Sequence, residues 1–357
     1  MPEITVIMAT ARHSYPIIGM PNTHIFQPTI QSLKKQSFKD FELVIADTLH
    51  HQRPDTFKGN PFNPKHIPFT IKHIPLHPNH SFWAKEKRWH VCEALNTCLL
   101  HAEGELIVRI DDCSEIPSEN YLETLWQLHQ SDLFPLTLHT RYRNGRQAYL
   151  NEEYLANGYD IQTPSWEDPN EKRLILLKTI GYRKPVRDSR WEIVEANGGQ
   201  MIAPHNWVYG YTAVPLKVLL KINGFDERFD GQKSLEDVDL GSRIEMAGYK
   251  NKFYLSTKLW IIEHEHEAIP SQIIDPNKKP IVCNYALYLL NRRNNWYRAN
   301  THKLSPEDIN FIKQETLRPP CSPKPNFYQD NLEGEDFKKW LNHQPIFNLE
   351  KERRKTQ

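Results

Sequence analysis

Short apolar runs alternate with stretches of helical spacing along the first third of this sequence, and this order restricts the fold more than any other feature. Residues 4–9 and 41–46 are rich in β-branched and aliphatic side chains, which is typical of strands buried on both faces of a parallel sheet. Between them, residues 26–36 place apolar side chains at helical spacing, with Pro28 in the first turn. A strand, a helix and a second strand in this order predict a βαβ unit.

The same pattern continues beyond this unit. Residues 69–74 alternate as a third strand, a helix is expected over residues 82–102, and residues 105–110 form a fourth apolar run that leads directly into Asp111. Helices are also expected at residues 121–130, 212–222, 235–247, 286–296 and 306–316, with a strand at residues 253–262. We therefore predict an α/β fold: a Rossmann-like half with a mixed central sheet flanked by helices, followed by a C-terminal helical extension. Residues 351–357 are expected to be disordered.

Composition excludes several classes of protein. The 357 residues suffice for about two domains or one large unit. The 45 Lys and Arg balance 44 Asp and Glu, which disfavours a nucleic-acid-binding protein. The sequence has no transmembrane-length apolar run and no signal peptide, so we expect a cytoplasmic protein. The five cysteines are scattered without a CxxC pair, which disfavours a zinc ribbon or a disulfide framework.

Three short clusters of ionisable residues stand at the ends of predicted strands or the start of a predicted helix. They are Asp111-Asp112, Glu236-Asp237 and His264-Glu265-His266. Carboxylates that follow a strand of an open α/β sheet lie at the edge where ligands gather. Strand alternation places His264 and His266 on one face.

Three separated segments, in this order and spacing, resemble the family 2 glycosyltransferases of GT-A fold over about residues 1–270. The first comprises residues 4–10, 31–36 and 41–47; the second, residues 94–112; the third, residues 223–229 and 235–243. The resemblance implies one large GT-A unit. It also implies transfer of a sugar, with inversion, from a nucleoside-diphosphate donor to a hydroxyl of a glycan, a lipid-linked or another acceptor, with Mg²⁺ or Mn²⁺.

The resemblance also implies a set of metal ligands. A hard divalent cation between carboxylates and a pyrophosphate is expected at Asp111 and Asp112, completed by His264 or His266. The family pattern is most often acid-x-acid, and here Asp111-Asp112-Cys113 departs from it. Either Asp111 is the first acid and Cys113 replaces the second, or Asp112 is the last acid and Ile110 replaces the first.

For catalysis, the resemblance makes Asp237 the general base on the acceptor hydroxyl and gives Glu236 an orienting role. Asp239 is expected only to interact with the helix dipole. Donor binding is expected from Thr10 and Asp47 at the ends of the first two strands, and from Asp111 and Arg88 near the diphosphate.

The chain is accordingly divided into three predicted parts. Residues 1–112 would form the nucleotide-sugar-binding half, residues 113–270 the acceptor and catalytic half, and residues 271–357 the partly disordered extension. Two other readings remain open: a catalytically silent nucleotide-sugar-binding protein, because the acid-x-acid motif is broken, and a nucleotidyltransferase. Peripheral association with a membrane is compatible with a lipid-linked acceptor.

Overall fold

The structure is a computed structural model, which describes residues 1–11, 16–17, 20–24, 26–52, 67–142, 186–264, 273–318, 328 and 331–356. Its strands are β1 Ile4–Thr10, β2 Pro16–Ile17, β3 Met20–His24, β4 Phe41–Asp47, β5 Thr70–Pro75, β6 Leu106–Arg109, β7 Ser114–Glu115, β8 Phe134–Tyr142, β9 Val186–Arg187, β10 Gln200–Ile202, β11 Thr212–Pro215 and β12 Phe253–His264. The helices of the N-terminal 300 residues are α1 Phe26–Lys34, α2 Phe82–Lys85, α3 Val91–His101, α4 Tyr121–Gln130, α5 Arg190–Ala196, α6 Leu216–Lys221, α7 Glu236–Met246 and α8 Asn284–Arg293. The C-terminal ones are α9 Pro306–Thr316, α10 Glu335–Asn342 and α11 Leu349–Thr356.

A mixed sheet of ten strands forms the centre of the molecule, which confirms the predicted α/β fold. Its main path runs β10-β12-β8-β11-β6-β1-β4-β5, while β7 pairs with β12 and β9 with β8. Strand β1 is parallel to both of its neighbours, β4 and β6, whereas β11 is antiparallel to β6 and β8. Helices cover the sheet, and the expected C-terminal helical extension follows it.

Both faces of the sheet are buried, as the apolar runs predicted. Along β1, Ile7 belongs to one apolar cluster, whereas Val6 and Met8 belong to the other. Strand alternation sends successive side chains to opposite faces, so a strand covered on both sides must be apolar throughout. The parallel register sets Thr10 beside Asp47, which brings the carboxyl ends of β1 and β4 to one edge.

The predicted helix over residues 82–102 is wrong as a single element, because the chain breaks between α2 and α3. Lys87 adopts a left-handed backbone conformation with φ of 53°. The Asp230 carboxylate accepts hydrogen bonds from the amides of Cys92 and Glu93, at 3.0 and 2.8 Å, and so binds the N-terminus of α3. Asp230 comes from 137 residues farther along the chain, which is why local spacing did not reveal the break.

Two other elements differ from the prediction. Residues 212–222 begin with strand β11 before α6, because Thr212–Pro215 finds pairing partners on β6 and β8. Residues 349–356, expected in part to be disordered, form α11. Arg353 of this helix donates to the Leu99 carbonyl at 2.8 Å, and Leu349 is fully buried. Tertiary contacts with α3 therefore stabilise a polar helix that would be marginal alone.

Further contacts bind the C-terminal extension to the rest of the fold. Arg88 donates to the Lys279 carbonyl and to the Asp336 carboxylate, at 3.0 and 2.5 Å. Cys283 is disulfide-bonded, and its partner lies outside the described residues. None of the helices in the described ranges has the length and apolar character that a membrane crossing requires.

We predict that one buried histidine makes stability depend on pH. His80 is fully buried and lies 2.5 Å from Glu227 and 3.0 Å from Glu352 of α11. Burial opposes the charged imidazolium, but Glu227 and Glu352 outweigh this and raise the pKa of His80 to about 10. The folded state therefore retains a proton that the unfolded chain loses above pH about 6.5, and this stabilisation disappears as the pH rises through 10.

Urea unfolding at several pH values would measure this effect. His80→Gln should remove a loss on the order of 2–4 kcal/mol between pH 6.5 and 10. His77→Gln is the control, because burial lowers the pKa of His77 and its removal should leave that loss in place. Equal pH slopes in the His80 variant and the parent would contradict the assignment.

Candidate functional site

A cavity of about 430 Å³ opens at the carboxyl edge of the parallel strands. Its wall includes Thr10 at the end of β1, and Asp111, Asp112 and Cys113 just after β6. Five acidic side chains line it: Asp111, Asp112, Glu236, Asp237 and Glu263. The structure thus brings together the two acid pairs that the sequence singled out, although 124 positions separate Asp112 from Glu236.

Asp111 and Asp112, the first acid pair, line the cavity just after β6. The Thr10 hydroxyl donates to the Asp112 carboxylate at 2.8 Å, so the predicted donor residue Thr10 and the predicted metal ligand Asp112 are in contact. Burial raises the pKa of the Asp111 carboxyl to about 6. The nearby guanidinium of Arg109 opposes this shift, whereas the negative charge of Glu263 adds to it.

The second acid pair lies in the first turn of α7 and lines the same cavity. Asp237 accepts a hydrogen bond from the guanidinium of Arg109, the last residue of β6. Burial and the neighbouring charge of Asp237 raise the pKa of Glu236 to about 7. The N-terminus of α7 therefore presents two carboxyl groups to the cavity. Asp237 is paired with Arg109, whereas Glu236 has a raised pKa.

The segment that carries this pair has an unusual backbone. Ser234 and Leu235, directly before α7, have φ angles of 89° and 68°. Residues other than glycine rarely adopt such backbone angles, so surrounding contacts must hold this segment in place. Asn284 of α8 supplies one: its amide donates to the Ser234 carbonyl at 2.6 Å. The C-terminal extension thereby helps to hold the segment that carries Glu236 and Asp237.

A third part of the wall comes from the break between α2 and α3, which sequence reasoning missed. Trp89, His90 and Val91 line the cavity there. Lys233 lies on the rim with its ammonium 5.0 Å from the centre of the Trp89 ring. The helix expected over residues 82–102 gave no signal for this contact between Trp89 and Lys233.

Two predicted donor residues have other partners. Asp47 is buried; its carboxylate accepts from the Leu49 amide and lies 2.9 Å from His73. The described wall of the cavity includes the adjacent Thr48 but not Asp47. The Arg88 guanidinium binds the Gly231 carbonyl and the extension, so the structure does not bring it to the cavity.

Of the two histidines predicted as metal ligands, the structure describes only His264. His264 lines the cavity and is fully buried, with its Nε2 atom 2.9 Å from a Glu115 carboxylate oxygen. His266 lies outside the described residues. Glu263, which the sequence reasoning did not select, also lines the cavity and raises the pKa of Asp111.

Asp239 was expected only to interact with the helix dipole, and this expectation is wrong. It is fully buried, 2.6 Å from the Arg243 guanidinium, and accepts from the Asn291 amide at 2.8 Å. A carboxylate with these partners stabilises the packing of α7 against α8 and does not face the cavity of the described chain.

The donor chemistry of the cavity fits a divalent cation. Mg²⁺ and Mn²⁺ prefer carboxylate oxygens, and Asp111 and Asp112 supply them beside Glu263. Burial is the main cause of the raised pKa of Asp111, and the negative charges of Glu263, Asp237 and Asp112 add to it. A divalent cation would offset that negative charge. Within the described ranges no group of three or more His, Cys, Asp or Glu side chains forms a ready-made metal site. Water or another ligand would therefore have to complete the coordination of a cation bound here.

We predict that Gly210 is required for the position of Asp111. A Cβ atom at Gly210 would lie 3.2 Å from Oδ2 and 3.4 Å from Oδ1 of Asp111, closer than most such contacts. Gly210→Ala should displace this carboxylate and weaken Mn²⁺ binding by about tenfold, as changes next to metal ligands do. Titration with Mn²⁺, together with the unfolding temperature, would measure this. Unchanged Mn²⁺ affinity in the folded variant would contradict the prediction.

No protein-family model matches the chain, and no curated protein sequence matches it significantly. Solved structures do match it. TarS 1–349 of S. aureus in complex with UDP is 14% identical with a TM-score of 0.47, over 95% of this chain and 78% of that one.

Two further structures match the chain. The mannosyltransferase PcManGT from Pyrobaculum calidifontis, in complex with GDP-Man and Mn²⁺, is 13% identical with a TM-score of 0.43, over 99% of this chain and 87% of that one. GalNAc-T7 with UDP, GalNAc and Mn²⁺ is 12% identical with a TM-score of 0.49, over 96% and 57%. At these identities the likeness describes the course of the chain and not its chemistry.

Proposed function

We propose that this protein is a metal-assisted glycosyltransferase, which moves a sugar from a nucleoside-diphosphate donor to an acceptor hydroxyl with inversion. One observation carries this proposal: Asp111 and Asp112, just after β6, and Asp237, in the first turn of α7, line the same cavity. A donor bound between these two groups would have its diphosphate near one and its sugar near the other.

The donor side follows from the charge of the cavity. A diphosphate would be repelled by five carboxylates, so binding requires positive charge between them. Asp111 and Asp112 would hold Mg²⁺ or Mn²⁺ for this purpose, and the cation, when bound, stabilises the negative charge of the departing diphosphate. Lys233 on the rim offers a further positive charge, and the Trp89 ring offers an apolar face.

The nucleoside would lie at the ends of β1 and β4. Thr10 and Thr48 line that part of the cavity, and both present hydroxyl groups that can donate and accept hydrogen bonds. Asp47 would act there by fixing the turn after β4, because its carboxylate binds the Leu49 amide.

The acceptor side follows from inversion. Direct displacement requires a base on the face of the sugar opposite the leaving group. Asp237 lines the same cavity as the first acid pair and is 17% exposed, so an acceptor hydroxyl can reach it. Asp237 would accept the hydroxyl proton, while Glu236, whose pKa of about 7 leaves it partly protonated at neutral pH, would orient the acceptor.

We predict that Asp112→Asn weakens metal-supported donor binding and lowers turnover by about a hundredfold or more, because charge stabilisation at the leaving group is lost. Donor hydrolysis and transfer should be measured with Mn²⁺ and with excess EDTA, using a panel of UDP- and GDP-sugars. Asp132→Asn removes an exposed carboxylate paired with Lys252 and is the matched control. Equal activity in EDTA and Mn²⁺ would rule out metal assistance.

We predict that Asp237→Asn keeps donor binding but lowers transfer by about a hundredfold or more, because it retains shape and removes basicity. Donor affinity and transfer rate should be measured on the same preparations. Asp239→Asn should lower stability through its buried partners while the transfer rate per folded molecule persists.

Other outcomes would select the other readings. Donor binding with no turnover in the parent chain would favour the silent binding protein, whereas release of pyrophosphate from a nucleoside triphosphate would favour the nucleotidyltransferase. Near-parental transfer by Asp237→Asn would show that another group is the base.

A further inference from the structure

Arg109 lines the cavity but belongs neither to the two acid pairs nor to the expected metal ligands. It is the last residue of β6 and is 5% exposed. Ile107, two residues before it, belongs to the apolar cluster on the α3 side of the sheet, and alternation sends Arg109 to that same side. Of the Lys and Arg side chains in the described cavity wall, it is the buried one, since Lys233 is exposed.

Three features hold the guanidinium in place. It donates to Asp237 at the start of α7. Its central carbon lies over the buried Phe225 ring, 5.6 Å from the ring centre, which is a cation–π contact. The charges of Asp237, Asp111 and Glu236 together offset the cost of burying it.

This contact joins the end of β6 to the start of α7. Asp237 follows Ser234 and Leu235, whose backbone angles are unfavourable. Asp237 also faces Glu236 and Asp111, and these like charges repel it. The Arg109 guanidinium counters this repulsion through its hydrogen bond to Asp237.

We propose that Arg109 is a positioning residue: its guanidinium holds the Asp237 carboxylate against the cavity wall, facing the acids that follow β6. The role of Asp237 as base rests on the function proposed above, whereas the coupling between Arg109 and Asp237 does not. A planar guanidinium can hold a carboxylate in a fixed direction and stack on a ring at the same time, which an ammonium cannot. Arg109→Lys should therefore keep the charge and lose part of the positioning.

A double-mutant cycle on unfolding tests the coupling without any ligand. The variants are Arg109→Met, Asp237→Asn and the pair together, studied by urea denaturation. We expect the two effects on the unfolding equilibrium constant to differ from additivity by about tenfold, as for directly paired groups. Additivity to within about twofold would overturn the proposal.

A kinetic cycle then separates positioning from general loss of structure. Arg109→Met should lower kcat by about tenfold or more and change KM for the nucleotide sugar by less than about threefold. In the Asp237→Asn background it should cause no further loss of kcat, and Arg109→Lys should recover part of the rate. An equal loss of kcat in both backgrounds would overturn the proposal.

Arg190→Met is the matched control, because Arg190 is equally buried and pairs with Asp188 at 2.5 Å. It should lower stability and leave kcat per folded molecule unchanged. If the parent chain turns over none of the nucleotide sugars, the proposed function fails, and the unfolding cycle alone then confirms or overturns the coupling of Arg109 to Asp237.

Discussion

Repulsion among carboxylates is the constraint on which this site depends. Five acids line one cavity, and the chain holds them there with a small number of specific contacts. Thr10 donates to Asp112, and Arg109 donates to Asp237. Burial, together with the remaining repulsion, raises the pKa values of Asp111 and Glu236. A cavity lined by so many acids attracts cations, and an anionic ligand could bind in it only together with a cation such as Mg²⁺ or Mn²⁺.

The rest of the fold supplies rigidity around these charges. Asp230 binds the N-terminus of α3, and the backbone between α2 and α3 then carries Trp89 and His90 into the cavity wall. Gly231, next to Asp230, donates its amide to the Trp89 carbonyl at 2.7 Å. The segment before α7 and the break before α3 therefore support each other, and neither would keep its course alone.

The C-terminal extension belongs to this framework. Asn284 holds the strained segment at Ser234, and Arg88 joins the same region to Asp336 of α10. Glu352 of α11 contacts His80, which also pairs with Glu227. A buried charged pair such as His80 with Glu227 fixes one arrangement, because breaking it leaves an uncompensated charge in the interior.

Local sequence patterns were sufficient to predict those helices and strands whose burial is determined by residues near them in the chain. The apolar runs of β1 and β4, the helix Tyr121–Gln130 and the helix Pro306–Thr316 were predicted closely. In each, the spacing of apolar side chains matches the face that is buried, so the pattern itself contains the answer. Asp111, Asp112 and Asp237 could also be selected, because acids at strand ends and helix starts are visible in the sequence.

What the sequence by itself determined is thus the α/β class, the order of most elements and the identity of the acid pairs. Only the tertiary structure decided that α3 begins at Val91 and that Thr212–Pro215 is a strand. It also decided that Arg88 binds the C-terminal extension and that Arg109 donates a hydrogen bond to Asp237. Each of these depends on a partner far away in the chain: Asp230 for α3, and Asp237 for Arg109, 128 positions apart. Periodicity reports the environment of neighbouring residues, whereas a charge buried by folding is positioned by whichever opposite charge the fold brings to it.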